Sequence, residues 1–205
     1  MSFFDFLTGK KSREPDKIWM HESGKMKGLV LDIQACLDRR ELVLVAAFQQ
    51  AGLDALASEL ARSGVPHRVV KSAALPSPLE LWSAAEARLY LWSMPPRTFT
   101  KAALGADPVP DAKTLWILAV EHHPLAEHDQ MLLDYAAALP GPSKVRFYGA
   151  LDDPLMKAFG SERIMSLMKG LGLTEDSAIE SSLVTRQIIT AQAKAAAERK
   201  RGLAG

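Results

Sequence analysis

Apolar residues recur at intervals of three and four between His21 and Arg40, at Met26, Leu29, Val30, Ile33 and Leu37. That spacing marks one face of a helix. The run Leu42-Val43-Leu44-Val45-Ala46-Ala47-Phe48 follows, continuous rather than alternating. It predicts a strand covered on both faces, as in a parallel sheet. Leu53, Leu56, Ala57 and Leu60 predict a second helix, ended by Gly64 and Pro66. A short strand is expected over 67–71, a helix over 79–87 and a strand over 88–92, closed by Pro95-Pro96. Thr114 to Val120 reads as another central strand, 125–139 as a helix, and 144–151 as a strand after the Pro140-Gly141-Pro142 break.

About five strands alternating with helices predict an α/β fold: three layers around a mostly parallel sheet. Beyond Asp152 the pattern changes to two shorter helical patches, 155–159 and 161–171, punctuated by Gly170 and Gly172. A long helix closes the chain over 181–201, with Val184, Ile188, Ala191 and Ala195 in one stripe. Its final Arg199-Lys200-Arg201 suits the negative end of a helix dipole. At the other end, Phe3-Phe4-Asp5-Phe6-Leu7 is either a docking element or a frayed terminus, and Thr8 to Pro15 reads as a linker.

Composition narrows the class. Charged residues make up 24% of the chain and the formal net charge is +1, so no global field points to nucleic acid or an anionic membrane. Cys36 is the only cysteine, which excludes an intramolecular disulfide and a Cys-rich metal site. No apolar run reaches the roughly 18 residues of a membrane span, and the start does not read as a secretory signal. The expectation is a cytoplasmic protein without an integral membrane segment.

Candidate chemistry is sparse. His122, His123, Glu127 and His128 are the densest potential ligand group, but a zinc site needs three or four converging ligands. No metal is expected. Asp152 and Asp153 read as a helix start, with Asp153 capping and Pro154 in the first turn. Cys36 lies among apolar helix neighbours and reads as inert.

The last third carries a specific resemblance. Arg146-Phe147-Tyr148, Leu151-Asp152-Asp153-Pro154-Leu155-Met156, Phe159-Gly160-Ser161-Glu162-Arg163-Ile164 and Leu183-Val184-Thr185-Arg186-Gln187-Ile188 resemble, in this order, the second motor domain of the SecA preprotein translocase family. Asp16-Lys17-Ile18-Trp19, Glu121-His122-His123 and Asp129 extend the similarity backwards. The resemblance implies a RecA-like, P-loop NTPase-type sheet. It divides the chain into a flexible segment over 1–15, a degenerate motor domain over 16–180, and a helix over 181–205 like the start of the family's scaffold helix.

Departures from the family shape the functional expectation. The family's first motor domain carries the phosphate-binding loop, and no G-x-x-x-x-G-K-[S/T] run occurs here. The family's arginine-finger positions fall on Leu133, Tyr135 and Ala138, which cannot stabilise a transferring phosphoryl group. The family's Gly- and Arg-containing loop after the strand matching Leu89 to Trp92 reads Ser93-Met94-Pro95-Pro96-Arg97 here, where prolines remove backbone donors. Arg97 and Arg146 are left as vestigial nucleotide-facing residues.

The resemblance therefore implies a non-catalytic, SecA-like interaction or accessory protein, without cofactor or catalytic residues. ATP and nucleic acid are not expected as ligands. Trp92, Met94, Leu133 and Tyr135 form the candidate protein-binding edge, for a translocation component or another copy of the chain. Alternatively, these residues close an unused cleft as core. A different class of reading is a subunit completing a composite ATPase with a partner that carries the phosphate-binding loop.

Overall fold

The computed structural model describes residues 13–70, 81–82, 88–93, 113–157, 161, 165, 170, 172, 174, 176–180 and 182–202. The expected helix 79–87, the Pro95-Pro96 loop, the N-terminal Phe cluster, the linker over 8–12, and most of the 155–159 and 161–171 patches lie outside the described residues. So do Met94 and Arg97.

Among the described residues, seven strands form one sheet: β1 (Lys17–Trp19), β2 (Leu42–Ala47), β3 (Arg68–Val70), β4 (Leu89–Ser93), β5 (Leu115–Ala119), β6 (Ser143–Ala150) and β7 (Ile179–Glu180). Their order is β3-β4-β2-β5-β6-β1-β7. Each pairing is parallel except β1 with β7. The five expected strands are β2 to β6. β1 and β7 are additions, and at three and two residues they are too short to show a period.

Helices α1 (Glu22–Asp38), α2 (Gln50–Arg62), α3 (Ala126–Ala138), α4 (Pro154–Lys157) and α5 (Ser182–Gly202) complete the described elements. All six residues of β2 are buried, as its unbroken apolar run requires. Alternate β2 side chains serve two different cores. Val43 and Val45 face Leu29 and Ile33 of α1 and Leu53, Leu56 and Leu60 of α2. Leu44 and Ala46 face Leu132, Tyr135 and Ala136 of α3. The sheet is thus covered on both sides, the expected three-layer α/β architecture with a C-terminal helix.

Two backbone positions fix the entry to the sheet. Gly28 lets α1 lie directly on β1, because a Cβ there would sit 2.1 Å from Cζ2 of Trp19. Trp19 in turn stacks on Tyr148, with ring centroids 5.8 Å apart. At the exit of α1, Arg40 adopts φ 60°, which lets Glu41 N–H donate to the Cys36 carbonyl at 3.0 Å.

A third, smaller core lies beside the ends of β1 and β6. Ile18, Met20, Leu151 and Met156 receive Ile188 of α5, with Val184 packed against them. The expected stripe of the last helix therefore docks, with Ile188 and Ala191 both buried. α4 begins at Pro154 as expected, and Lys157 N–H bonds the Asp153 carbonyl. The Asp153 carboxylate instead accepts from Ala150 N–H at 2.8 Å, tying the end of β6 to the turn that follows it.

Candidate functional site

In open α/β sheets, ligand crevices form at the carboxyl ends of the strands. Here four such turns converge on a crevice of about 490 Å³. The β1–α1 turn contributes Glu22 and Lys25, and the β2–α2 turn Gln49, Ala51 and Gly52. The β5–α3 turn contributes Glu121, His122 and Pro124, and the β6–α4 turn Asp152, Asp153, Met156 and Lys157.

Most of the crevice's charge is already engaged. Lys25 is buried, with Nζ 2.7 Å from Glu22 and 3.5 Å from Asp153. Asp152 accepts from Glu22 N–H at 3.0 Å and lies 3.2 Å from His21 Nδ1. Glu22, Asp152 and Asp153 are close enough together to hold a cation. Lys25 supplies positive charge to two of the three, and three clustered acids do not by themselves define a metal site. Burial raises the Glu22 carboxyl above its ordinary range, partly offset by Lys25.

Glu121 occupies the start of α2. Its Oε1 accepts from Phe48 N–H at 2.5 Å and Gln49 N–H at 2.9 Å. A helix N-terminus is a natural anion seat, and here the protein's own carboxylate sits beside it. Burial pushes the Glu121 carboxyl up, while these two donors and the charge of Lys25 pull it back.

Behind the crevice lies a buried ionic network. His122 Nδ1 is 2.6 Å from Asp129 Oδ2, and its Nε2 is 3.5 Å from Asp16 Oδ2. The imidazole stacks on Phe147 with centroids 4.6 Å apart. Burial alone would lower the His122 pKa, but the carboxylates of Asp129 and Asp16 outweigh it and raise it to about 9. Asp16 shows the converse. Burial would raise its carboxyl, but His122, Arg13 and a Thr185 hydroxyl hold it below its ordinary value. Gln192 on α5 closes the network, donating to Asp129 Oδ2 at 2.7 Å and to the His123 carbonyl at 2.8 Å.

The residues singled out from sequence fall elsewhere. Trp92 and Tyr135 are 1% and 0% exposed, with ring centroids 5.9 Å apart in the core under α3. Leu133 packs against the same cluster. The expected protein-binding edge is thus corrected: Trp92 and Tyr135 are core residues, the alternative that the apolar pattern left open. Both alternate into the sheet–α3 layer, where a large ring finds more contact than at a surface.

Arg146 lies mid-strand on β6, away from the crevice lining. Its guanidinium is 3.8 Å from both Glu14 and Asp32, 4.0 Å from Glu180, and 5.5 Å from the Trp116 ring. It is an ion-pair residue in this fold. His123 sits at the strand-to-helix turn, its Nδ1 accepting from Leu125 N–H at 3.0 Å. His128 lies against it, with ring centroids 3.8 Å apart. Burial and the charge of His128 both lower the His123 pKa. These histidines form no three-ligand group among the described residues.

Lys25 and Gln192 had no visible role in the sequence. Asp16, Glu121 and Asp129 stood out only as positions shared with a known family, and His122 as such a position and as a candidate ligand, each without a partner or a function.

A layered, mostly parallel sheet with its crevice at the strand ends is that of a RecA-like, P-loop NTPase-type α/β domain. The family described as SecA P-loop domain matches residues 96–176. The chain is a SecA-like family member. The SecA protein translocase subunit of Clostridium botulinum strain Hall is 32% identical over 184 residues, covering 87% of this chain and 22% of the relative. The Heliobacterium modesticaldum subunit is 30% identical over 183 residues, covering 87% and 21%. That of Stenotrophomonas maltophilia is 29% identical over 211 residues, covering 88% and 23%. The chain thus spans under a quarter of the length of these relatives. Among solved structures, the C-terminal part of the Fun30 ATPase domain aligns with TM-score 0.44 and 13% identity, over 83% of this chain and 53% of that one.

Proposed function

We propose that this chain acts in protein translocation as a non-catalytic, SecA-like accessory protein that binds a protein partner and does not hydrolyse ATP. α3 carries the reading. Its thirteen residues include Glu127, Asp129 and Asp134 but no lysine or arginine. Leu132, Tyr135 and Ala136 on this helix are buried in the sheet's core. Such a helix has no cation to offer a transferring phosphoryl group, and a missing arginine finger typically costs about 10³–10⁵ in rate.

The crevice supports the same reading. Four carboxylates line it against Lys25 and Lys157, and Glu121 occupies the donors at the start of α2. A polyphosphate would meet mostly negative charge there. The partner we propose is a translocation component or a second copy of the chain, encountered in the cytoplasm. Among the described residues, no helix is long and apolar enough to cross a membrane.

Isothermal titration with ATP and magnesium, and a phosphate-release assay, test the catalytic half. No saturable heat and no turnover above a buffer-exchanged blank are expected. A micromolar dissociation constant or measurable turnover would overturn it. Affinity capture from the native host tests the other half, with recovery of translocation components expected. Capture of neither such components nor a second copy counts against it.

A further inference from the structure

Beyond that role, and independently of it, we propose that His122, clamped between Asp16 and Asp129, is a latch that holds α5 onto the domain, and that α5 undocks from it as a unit. Three elements remote in sequence meet at this one imidazole. Asp16 precedes β1, Asp129 belongs to α3, and α5 reaches both carboxylates. Gln192 bonds Asp129, while Thr185, seven residues earlier on α5, bonds Asp16. The two contacts sit nearly two turns apart. α5 is therefore held at two points, each ending on a carboxylate that the same imidazolium neutralises.

The remaining attachment of α5 is modest. Ile188 is its one large buried aliphatic side chain among the described residues, supported by Val184 and Ala191. By contrast, the sheet's two main cores draw on many large side chains from α1, α2 and α3. An element held, among the described residues, by few apolar contacts and a polar latch belongs to the low-stability end of local opening. Opening would uncover Ile18, Met20, Leu151 and Met156 on the body and the Val184–Ile188–Ala191 stripe on the helix.

Loss of the proton on His122 leaves two buried carboxylates facing each other with no cation between them. Arg13, 3.2 Å from Asp16, is the nearby counter-charge on that side, and Phe147 is the ring beneath. α5 faces the network with the uncharged groups of Gln192 and Thr185. The crevice that His122 lines also holds Glu22, Lys25, Glu121, Asp152, Asp153 and Lys157. The raised His122 pKa, about 9, means the latch is closed at neutral pH and opens as pH rises through that value.

Native-state trypsin cleavage within α5 tests this on the full chain. Arg186 and Lys194 are exposed on the helix, but a folded helix resists the protease. Rates are normalised to an unstructured peptide at each pH. Cleavage in α5 should depend on urea far more weakly than global unfolding does. Gln192→Leu, which keeps most of the side-chain volume, should speed it about tenfold, the scale of one lost hydrogen bond to a charged group. The rate should climb from pH 7 to 9.5, and His122→Asn should raise it at pH 7 and abolish the climb. A urea dependence equal to that of global unfolding overturns the proposal. So does an unchanged rate in Gln192→Leu, or a pH climb that survives in His122→Asn. If His122→Asn does not fold, the urea and pH series on the unmodified chain and Gln192→Leu decide the matter.

Discussion

Truncating the Trp92–Tyr135 pair tests whether the apolar residues between β4 and α3 are core. Trp92 lies on β4 and Tyr135 on α3, both fully buried, and they bridge the sheet and its covering helix. Replacing a buried aromatic by alanine costs about 3–5 kcal/mol, from lost transfer energy and the cavity left behind. Whole-domain stability is about 5–15 kcal/mol. Either Trp92→Ala or Tyr135→Ala alone should therefore leave a folded but weakened chain. At about 2–4 °C per kcal/mol for a protein of this size, melting should fall by roughly 10 °C.

The double variant removes both sides of one contact, so its cost is not a simple sum, but it should be unfolded or nearly so at 37 °C. Trp92→Phe provides the graded control. The indole Nε1 is buried without a hydrogen-bond partner among the described residues, so losing that donor removes an unsatisfied group and offsets part of the lost volume. The order of stability should be unmodified or Trp92→Phe, then Trp92→Ala, then the double variant. Near-ultraviolet circular dichroism during thermal and urea unfolding measures it. A double variant melting within two degrees of the unmodified chain would place these rings at a surface and refute the argument.

Other expectations follow from single positions. Gly28→Ala drives a methyl into Trp19 and should cost about 1–3 kcal/mol as overpacking, read by urea titration. Arg40→Gly should stabilise the chain by about 1 kcal/mol, because Arg40 holds a left-handed backbone conformation that glycine adopts freely. Ile188→Ala should cost about 2–4 kcal/mol if α5 is docked as described, and an unchanged melting curve would show the helix free. The folded-state pKa of His122 lies near 9, above its ordinary 6.5. Its contribution to stability is complete below pH 6.5 and is lost as pH rises through 9, so melting temperature should decline over that range in the unmodified chain and much less in His122→Asn.

The sheet was legible because its central strands are unbroken apolar runs. Leu42–Ala47 and Leu115–Ala119 can only be buried on both sides, and their helices show clear three-and-four spacing. β1 and β7 escaped because three and two residues carry no period, and their pairing depends on contacts remote in sequence. The site was less legible for a related reason. Trp92, Met94, Leu133 and Tyr135 were read as a binding edge because they are apolar, but apolarity alone cannot tell a buried face from a binding face. Lys25, Asp16 and Gln192 acquire their place in the site from partners far along the chain: Asp153, His122 and Asp129. Nothing in a helix reading of 22–38 distinguishes a buried Lys25 from the exposed Lys27 two residues on.

The insertion of β1 between β6 and β7 sets an order of events during synthesis. Trp19 meets its strand partner Ala150 only after about 130 further residues have left the ribosome, a wait of roughly 10 s at 5–20 residues per second. Until then Ile18, Trp19 and Met20 have no sheet to join, and the face of α1 around Gly28 has nothing to cover. The nascent chain thus carries an unpaired apolar segment while β2 to β5 are being made. Closure of the domain comes as a late, long-range step, of the kind that slows folding and lengthens exposure to aggregation and chaperones.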